Sequence, residues 1–217
     1  MELGGMASLT KLYLYGNKLS GSIPSELSQA TELVDLRLQR NTLSGTIPTS
    51  LTGLTKLQIM YLSVNQLNGT IPTVIGQMSV LRNLAISDNM LTGTIPPEIG
   101  TLLTLQGLYL YGNIGLGGTI PSELGGLSSL RILKLDSCSL TGTLPPQIGN
   151  LTALRLLDIG SNHELHGTIP EEMESLTALE SFLIHNTKVE GTIPTWLKAS
   201  PAAISITANR YLLTCDF

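Results

Sequence analysis

An Ile-Pro or Leu-Pro dipeptide returns along this chain at an almost constant interval. Its proline falls at Pro24, Pro48, Pro72, Pro96, Pro121, Pro145, Pro170 and Pro194, a period of 24 or 25 residues, and a glycine stands three residues before each, from Gly21 to Gly191. Upstream of each glycine lies an L-x-L pair, such as Leu36/Leu38, Leu84/Ile86 or Leu133/Leu135, and then a polar position: Asn17, Asn41, Asn65, Asn89, Asn113, Cys138, Asn162 and Thr187. A ninth, truncated unit supplies Ile204, Ile206 and Asn209. A period that runs through the chain dictates a stack of units, because no such unit buries its apolar side except against its neighbours.

Each position in the repeat has a physical reading. The alternation in L-x-L puts the leucines on one face of a short strand, and nine such strands stacked in parallel give a sheet about 40 Å long. The polar position at the bend satisfies backbone groups that no regular ladder would reach. Glycine tolerates a left-handed or crowded backbone, and proline opens a short 3₁₀ or helical turn. Repeats five and seven each carry one extra residue, in Asn113-Ile-Gly-Leu116 and Asn162-His-Glu-Leu165. Both insertions fall at a turn, where added length is tolerated.

The pattern L-x-x-L-x-L-x-x-N-x-L-x-G-x-I-P-x-x-L-G-x-L resembles the plant-type leucine-rich repeat of cell-surface receptors, over essentially the whole chain. The resemblance implies an α/β repeat: a right-handed, curved solenoid with a parallel sheet on the concave face and 3₁₀ or short helical turns on the convex face. Residues 1–217 then form one solenoid, with a partial repeat over 1–8, eight repeats from 9 to about 200 and a truncated ninth over 201–217. Leu3-Gly-Gly-Met-Ala-Ser-Leu9 matches the internal stretch Leu124-Gly-Gly-Leu-Ser-Ser-Leu130, so the expectation is a fragment that starts in mid-repeat. The family further implies the ectodomain of a receptor-like kinase, a receptor-like protein or a secreted relative. Such a module is non-catalytic, lies at the cell surface, recognises a peptide, protein or glycan, and works with a co-receptor. A secreted inhibitor of a microbial wall-degrading glycosidase and a structural or adhesive wall protein are the alternative readings.

Acidic residues outnumber basic ones, 16 to 12, for a net charge of −4, so the chain lacks the cationic excess of a nucleic-acid binder. No apolar run approaches the ~20 residues of a membrane span, and the N-terminus has no signal-peptide pattern. No cofactor motif, P-loop or catalytic triad emerges. His163-Glu-Leu-His166 is one residue short of a zinc-binding H-E-x-x-H and lies in a turn. Gly112, Gly115, Gly117 and Gly118 feed into Ile120-Pro121 and not into a phosphate-capping helix. Glu26, Glu98, Glu123 and Glu171 follow the Ile-Pro motif and read as a solvated outer face. Neither a metal site nor an active site is expected.

Cys138 occupies a rung of the asparagine series, where a thiol donates a weak hydrogen bond to a backbone carbonyl. A disulfide to Cys215 is unfavourable. The two lie at least three repeats apart, beyond ~14 Å at ~4.8 Å per strand, whereas bridged Cα atoms sit roughly 5.5 Å apart. In the family, a cysteine placed like Cys215 often belongs to a capping disulfide.

What remains is the outward face of the strands. The middle residue of L-x-L reads Tyr13, Arg37, Tyr61, Ala85, Tyr109, Lys134, Asp158 and Leu183 down the stack. Two residues further on the series is Tyr15, Gln39, Ser63, Ser87, Tyr111, Asp136, Gly160 and His185. Five of the six tyrosines therefore share this face. Tyrosine pairs a rigid apolar body with a polar tip and is enriched at binding hot spots, although strands also favour it for packing. The candidate ligand-binding residues are Tyr13, Tyr15, Arg37, Tyr61, Tyr109, Tyr111, Lys134, Asp136, Asp158 and His185. Two sequons, Asn68-Gly-Thr70 and Asn150-Leu-Thr152, are candidate N-glycosylation sites of a secreted chain.

Overall fold

The computed structural model describes residues 7–198 together with the backbone of Leu213–Thr214. Eight three-residue strands, from Lys11–Tyr13 to Ser181–Leu183, pair in sequence order into one parallel sheet that lines the concave face. The ninth strand expected around Ile204 and Ile206 lies outside the described residues, as do Asn209 and Cys215.

The strands form where the repeat alternates. Leu12, Leu36, Met60, Leu84, Leu108, Leu133, Leu157 and Phe182 are Cα partners across the whole sheet. From Leu36 onward these side chains are buried, and they belong to a single apolar core that runs the length of the stack. The prolines do what their ring geometry dictates. Seven of them, Pro24 to Pro170, stand directly before a five-residue 3₁₀ turn with φ between −62° and −71°. Pro194 instead precedes the single helical turn Thr195–Lys198.

A second eight-stranded parallel sheet, from Ser20–Ser22 to Lys188–Val189, flanks the first and was not expected from the sequence. It is built from the L-x-G-T segments. The glycine of each has φ from +72° to +83° between Gly21 and Gly167, a conformation costly for other L-residues. The threonine that follows sets its methyl group over the glycine of the next repeat, as Thr94 does over Gly118.

The polar rungs tie successive coils together. Asn89 donates from Nδ2 to Ile86 O of its own repeat at 3.0 Å and to Leu62 O of the preceding repeat at 3.2 Å, and its Oδ1 accepts the Leu67 N–H at 3.0 Å. Asn41, Asn65, Asn113 and Asn162 repeat this set of bonds. Asn17 is exposed and bonds only carbonyls of its own turn, Leu14 O and Tyr15 O.

The two rungs that are not asparagine, Cys138 and Thr187, each follow a repeat with an insertion. The added residue bends the turn so that Leu116 N–H reaches Asn113 O at 2.9 Å and Leu165 N–H reaches Asn162 O at 3.0 Å. Elsewhere that leucine N–H requires the side-chain oxygen of the next rung; after an insertion it does not. Position 138 is therefore free to hold a donor without an acceptor. The Cys138 thiol points to Leu110 O at 3.5 Å and Asp136 O at 3.6 Å, and burial pushes its pKa up to about 11. Thr187 Oγ1 donates to Ile184 O at 2.9 Å and accepts from Val189 N–H at 3.3 Å.

Candidate ligand-binding face

Strand register turns the middle residues of L-x-L into one continuous row, Tyr13, Arg37, Tyr61, Ala85, Tyr109, Lys134, Asp158 and Leu183. The second row, from Gln39 to His185, is held by the same ladder carried past the strands. Gly16, Arg40, Val64, Asp88, Gly112, Ser137 and Ser161 donate their N–H groups to Gln39, Ser63, Ser87, Tyr111, Asp136, Gly160 and His185. The donor at each of these places has positive φ, and Val64, at +58°, is a β-branched residue in a region that penalises it.

At the first strands the face is knitted to itself. The Arg37 guanidinium lies between the Tyr13 and Tyr61 rings, 5.0 and 5.4 Å from their centroids. It grips Asp35 through Nε to Oδ1 at 3.0 Å and Nη2 to Oδ2 at 3.1 Å. The Tyr13 hydroxyl donates to the same carboxylate at 2.8 Å, and this bond raises the Tyr13 pKa. Arg37 is one of the candidate ligand-binding residues, and the carboxylate it recognises is Asp35 of its own strand. Asp35 was not among the expected site residues. Its signal was available, because a residue two before Arg37 on a strand shares its face.

Towards the last strands the charges are less well matched. Lys134 Nζ lies 5.3 Å from the Tyr111 ring centroid and 3.9 Å from Asp158 Oδ2. Asp158, expected to face outward, is only 5% exposed, and its Oδ1 accepts the Gly160 N–H at 3.2 Å. Asp136 Oδ1 and His185 Nδ1 are buried with no hydrogen-bond partner. Burial, and then the nearby Asp158 carboxylate, raise the Asp136 pKa. The His185 ring occupies the space over Gly160 that a Cβ would fill. Tyr109 folds over Gly107 in the same way, and burial raises its pKa. By contrast Tyr13 and Tyr15 are 47% and 52% exposed.

The remaining candidates lie elsewhere. Asn68 is exposed on the second sheet, and Asn150 is exposed at the end of the 3₁₀ turn Pro146–Asn150. His163 and His166 are exposed, and Glu164 between them is paired with Lys188 at 2.6 Å. Among the described residues no group of three or more His, Cys, Asp or Glu side chains is placed to hold a metal ion, and no helix is long and apolar enough to cross a membrane.

Comparison with known proteins fits this architecture. A leucine-rich repeat region profile matches residues 74–197, and leucine-rich repeat profiles match residues 31–91 and 8–30. No curated protein sequence matches the chain. Among solved structures, the plant peptide hormone receptor RGFR1 in complex with RGF2 is 38% identical with a TM-score of 0.88, over 96% of this chain and 32% of that one. The Arabidopsis receptor kinase HAESA, in complex with the peptide hormone IDA and the co-receptor SERK1, is 33% identical with a TM-score of 0.90, over 97% of this chain and 35% of that one. A plant ice-binding protein is 28% identical with a TM-score of 0.66, over 89% of this chain and 69% of that one. The chain thus spans about a third of the length of the two receptor structures. Matched in its repeats by these profiles and over nearly its whole length by these solenoids, it belongs to the plant-type leucine-rich repeat family.

Proposed function

We propose that the chain is part of a cell-surface receptor ectodomain and that its concave sheet binds a peptide lying across the strands. The observation that carries this reading is the unbroken outward row with Tyr13, Tyr61 and Tyr109, joined by Tyr15 and Tyr111 in the row beside it. Eight strands leave seven gaps, roughly 34 Å at ~4.8 Å each, and an extended peptide that advances ~3.3 Å per residue covers this with about ten residues. Rigid aromatic side chains hold such a peptide at low entropic cost. RGFR1, a plant peptide hormone receptor in complex with RGF2, and HAESA, in complex with the peptide hormone IDA, support a peptide over a glycan. The HAESA complex also supports a co-receptor as a further partner. Secretion with glycans on Asn68 and Asn150 accords with the exposure of both.

Capture of synthetic peptides from a random library tests the reading. The native protein is expected to retain a set of sequences that the Tyr13→Ala, Tyr61→Ala, Tyr109→Ala variant loses by about tenfold or more, with unchanged circular dichroism. Equal capture by the two proteins removes the tyrosine face as the site.

The second sheet supports a different reading, for which the ice-binding structure is the relative. Thr46, Thr70, Thr94, Thr119, Thr143 and Thr168 are all exposed and recur once per repeat. This column of hydroxyl and methyl groups, spaced by ~4.8 Å, is the surface such a protein would turn to ice. Thermal hysteresis that disappears in a Thr94→Lys, Thr119→Lys variant would favour it; none in the native protein dismisses it.

A further inference from the structure

The concave face carries two slots made of an aromatic ring and carboxylates, and they differ in how well they are filled. The first is closed by the chain itself: Arg37 stacks between Tyr13 and Tyr61 and holds both oxygens of Asp35 at 3.0 and 3.1 Å. The second is formed by Tyr111, Asp136 and Asp158, and its occupant is Lys134. That ammonium stays 3.9 Å from Asp158 Oδ2, too far for a hydrogen bond. Asp136 Oδ1 is left buried with no hydrogen-bond partner, and Asp136 Oδ2 accepts a long bond from the Ser137 hydroxyl at 3.4 Å. Two carboxylates therefore share one cation that bonds neither.

The shape of the donor explains the difference. A guanidinium is a planar fork that stacks on a ring while its edge bridges two acceptors, whereas an ammonium is a point charge that must choose. Lys134 is also simple to move, since its side chain is 32% exposed on a flexible stem. Gly160 lies between Asp136 and His185 in the row, and the His185 ring fills the space above it.

We propose that this second slot receives an arginine side chain of the ligand, which stacks on Tyr111, donates to Asp136 Oδ1 and Asp158 Oδ2, and displaces Lys134 into solvent. The proposal rests on the concave sheet being the ligand-binding face and adds the chemistry of one ligand position. It also orients the peptide, with its basic residue over the sixth and seventh strands, Ile132–Lys134 and Leu156–Asp158.

The probe is N-acetyl-arginine methylamide, titrated into the ¹⁵N-labelled protein and followed by NMR, with the citrulline analogue as its neutral isostere. Arginine is expected to give saturable shifts of the Tyr111, Asp136, Asp158 and Gly160 amides, and citrulline none. The lysine analogue is expected to bind about tenfold more weakly. Asp136→Asn should abolish the shifts, and Lys134→Met should tighten binding several-fold by removing the competing cation. Equal shifts with citrulline, or no tightening in Lys134→Met, overturn the proposal. Failure here together with tyrosine-dependent peptide capture refutes the arginine slot and leaves the peptide face standing. Arginine binding together with tyrosine-independent capture does the reverse.

Discussion

At the scale of the residue, the polar rungs differ in what depends on them. Asn89 Oδ1 accepts the buried Leu67 N–H, and its Nδ2 adds bonds to Leu62 O and Ile86 O, which also accept from Asn65 and Asn113; the Cys138 thiol adds only a weak bond to Leu110 O, which already accepts from Asn113 at 2.7 Å. Urea denaturation is therefore expected to show Asn89→Ala costing about 2 kcal/mol and Cys138→Ala about 1 kcal/mol or less, since only the first strands a buried N–H. The Cys138 thiol, with its pKa at about 11, should also resist iodoacetamide at neutral pH until the protein is unfolded. Asp136 yields a prediction with a sign. A carboxyl whose folded pKa lies above its ordinary value of 3.8 contributes its full share to stability only below that value, and the share is lost as pH rises through the folded pKa. Asp136→Asn is thus expected to melt above the native protein at neutral pH, and the difference should close on acidification. A constant difference across pH would contradict the burial of that carboxyl.

At the scale of the element, the first sheet and the 3₁₀ turns were legible because leucine alternation and the Ile-Pro step each have one physical solution. The second sheet was not. Its L-x-G-T segments read as turns, since glycine ordinarily interrupts a strand, and they pair only because stacking brings the same segment of the next coil alongside. The site was legible in outline for a related reason: period two places Tyr13, Arg37 and Tyr61 in one row, but says nothing of which neighbour each will bond. Asp35 holding Arg37 and the burial of Asp158 arise from side-chain packing across the row. Close approach of the convex turns has its own requirement. A Cβ on Gly100 would collide with the carbonyl of Glu123 in the following turn. Gly100→Ala is expected to destabilise the protein by about 2 kcal/mol as an overpacked contact, read as a lower urea midpoint, whereas Gly16→Ala meets no atom within 4 Å and should show only the milder penalty of its +68° φ.

At the scale of the whole molecule, a solenoid is usually treated as a sum of units with nearest-neighbour terms, and each unit here rests on the one before it. The match between insertions and rungs shows that the neighbour term also carries sequence information. Ile114 lengthens the fifth repeat, and it is the sixth repeat that is released from needing asparagine at position 138. Deleting Ile114 should restore the ordinary turn and leave Leu116 N–H without its acceptor, at a cost of roughly 1–3 kcal/mol. Replacing Cys138 with asparagine in the same molecule should recover most of that loss, although Cys138→Asn alone gains nothing. A strongly non-additive double-mutant cycle is the expected result, and additivity would deny the link. The two changes are thus epistatic: a length change in one repeat sets which residues are neutral in the next, so the spacing of this chain and its composition cannot drift independently.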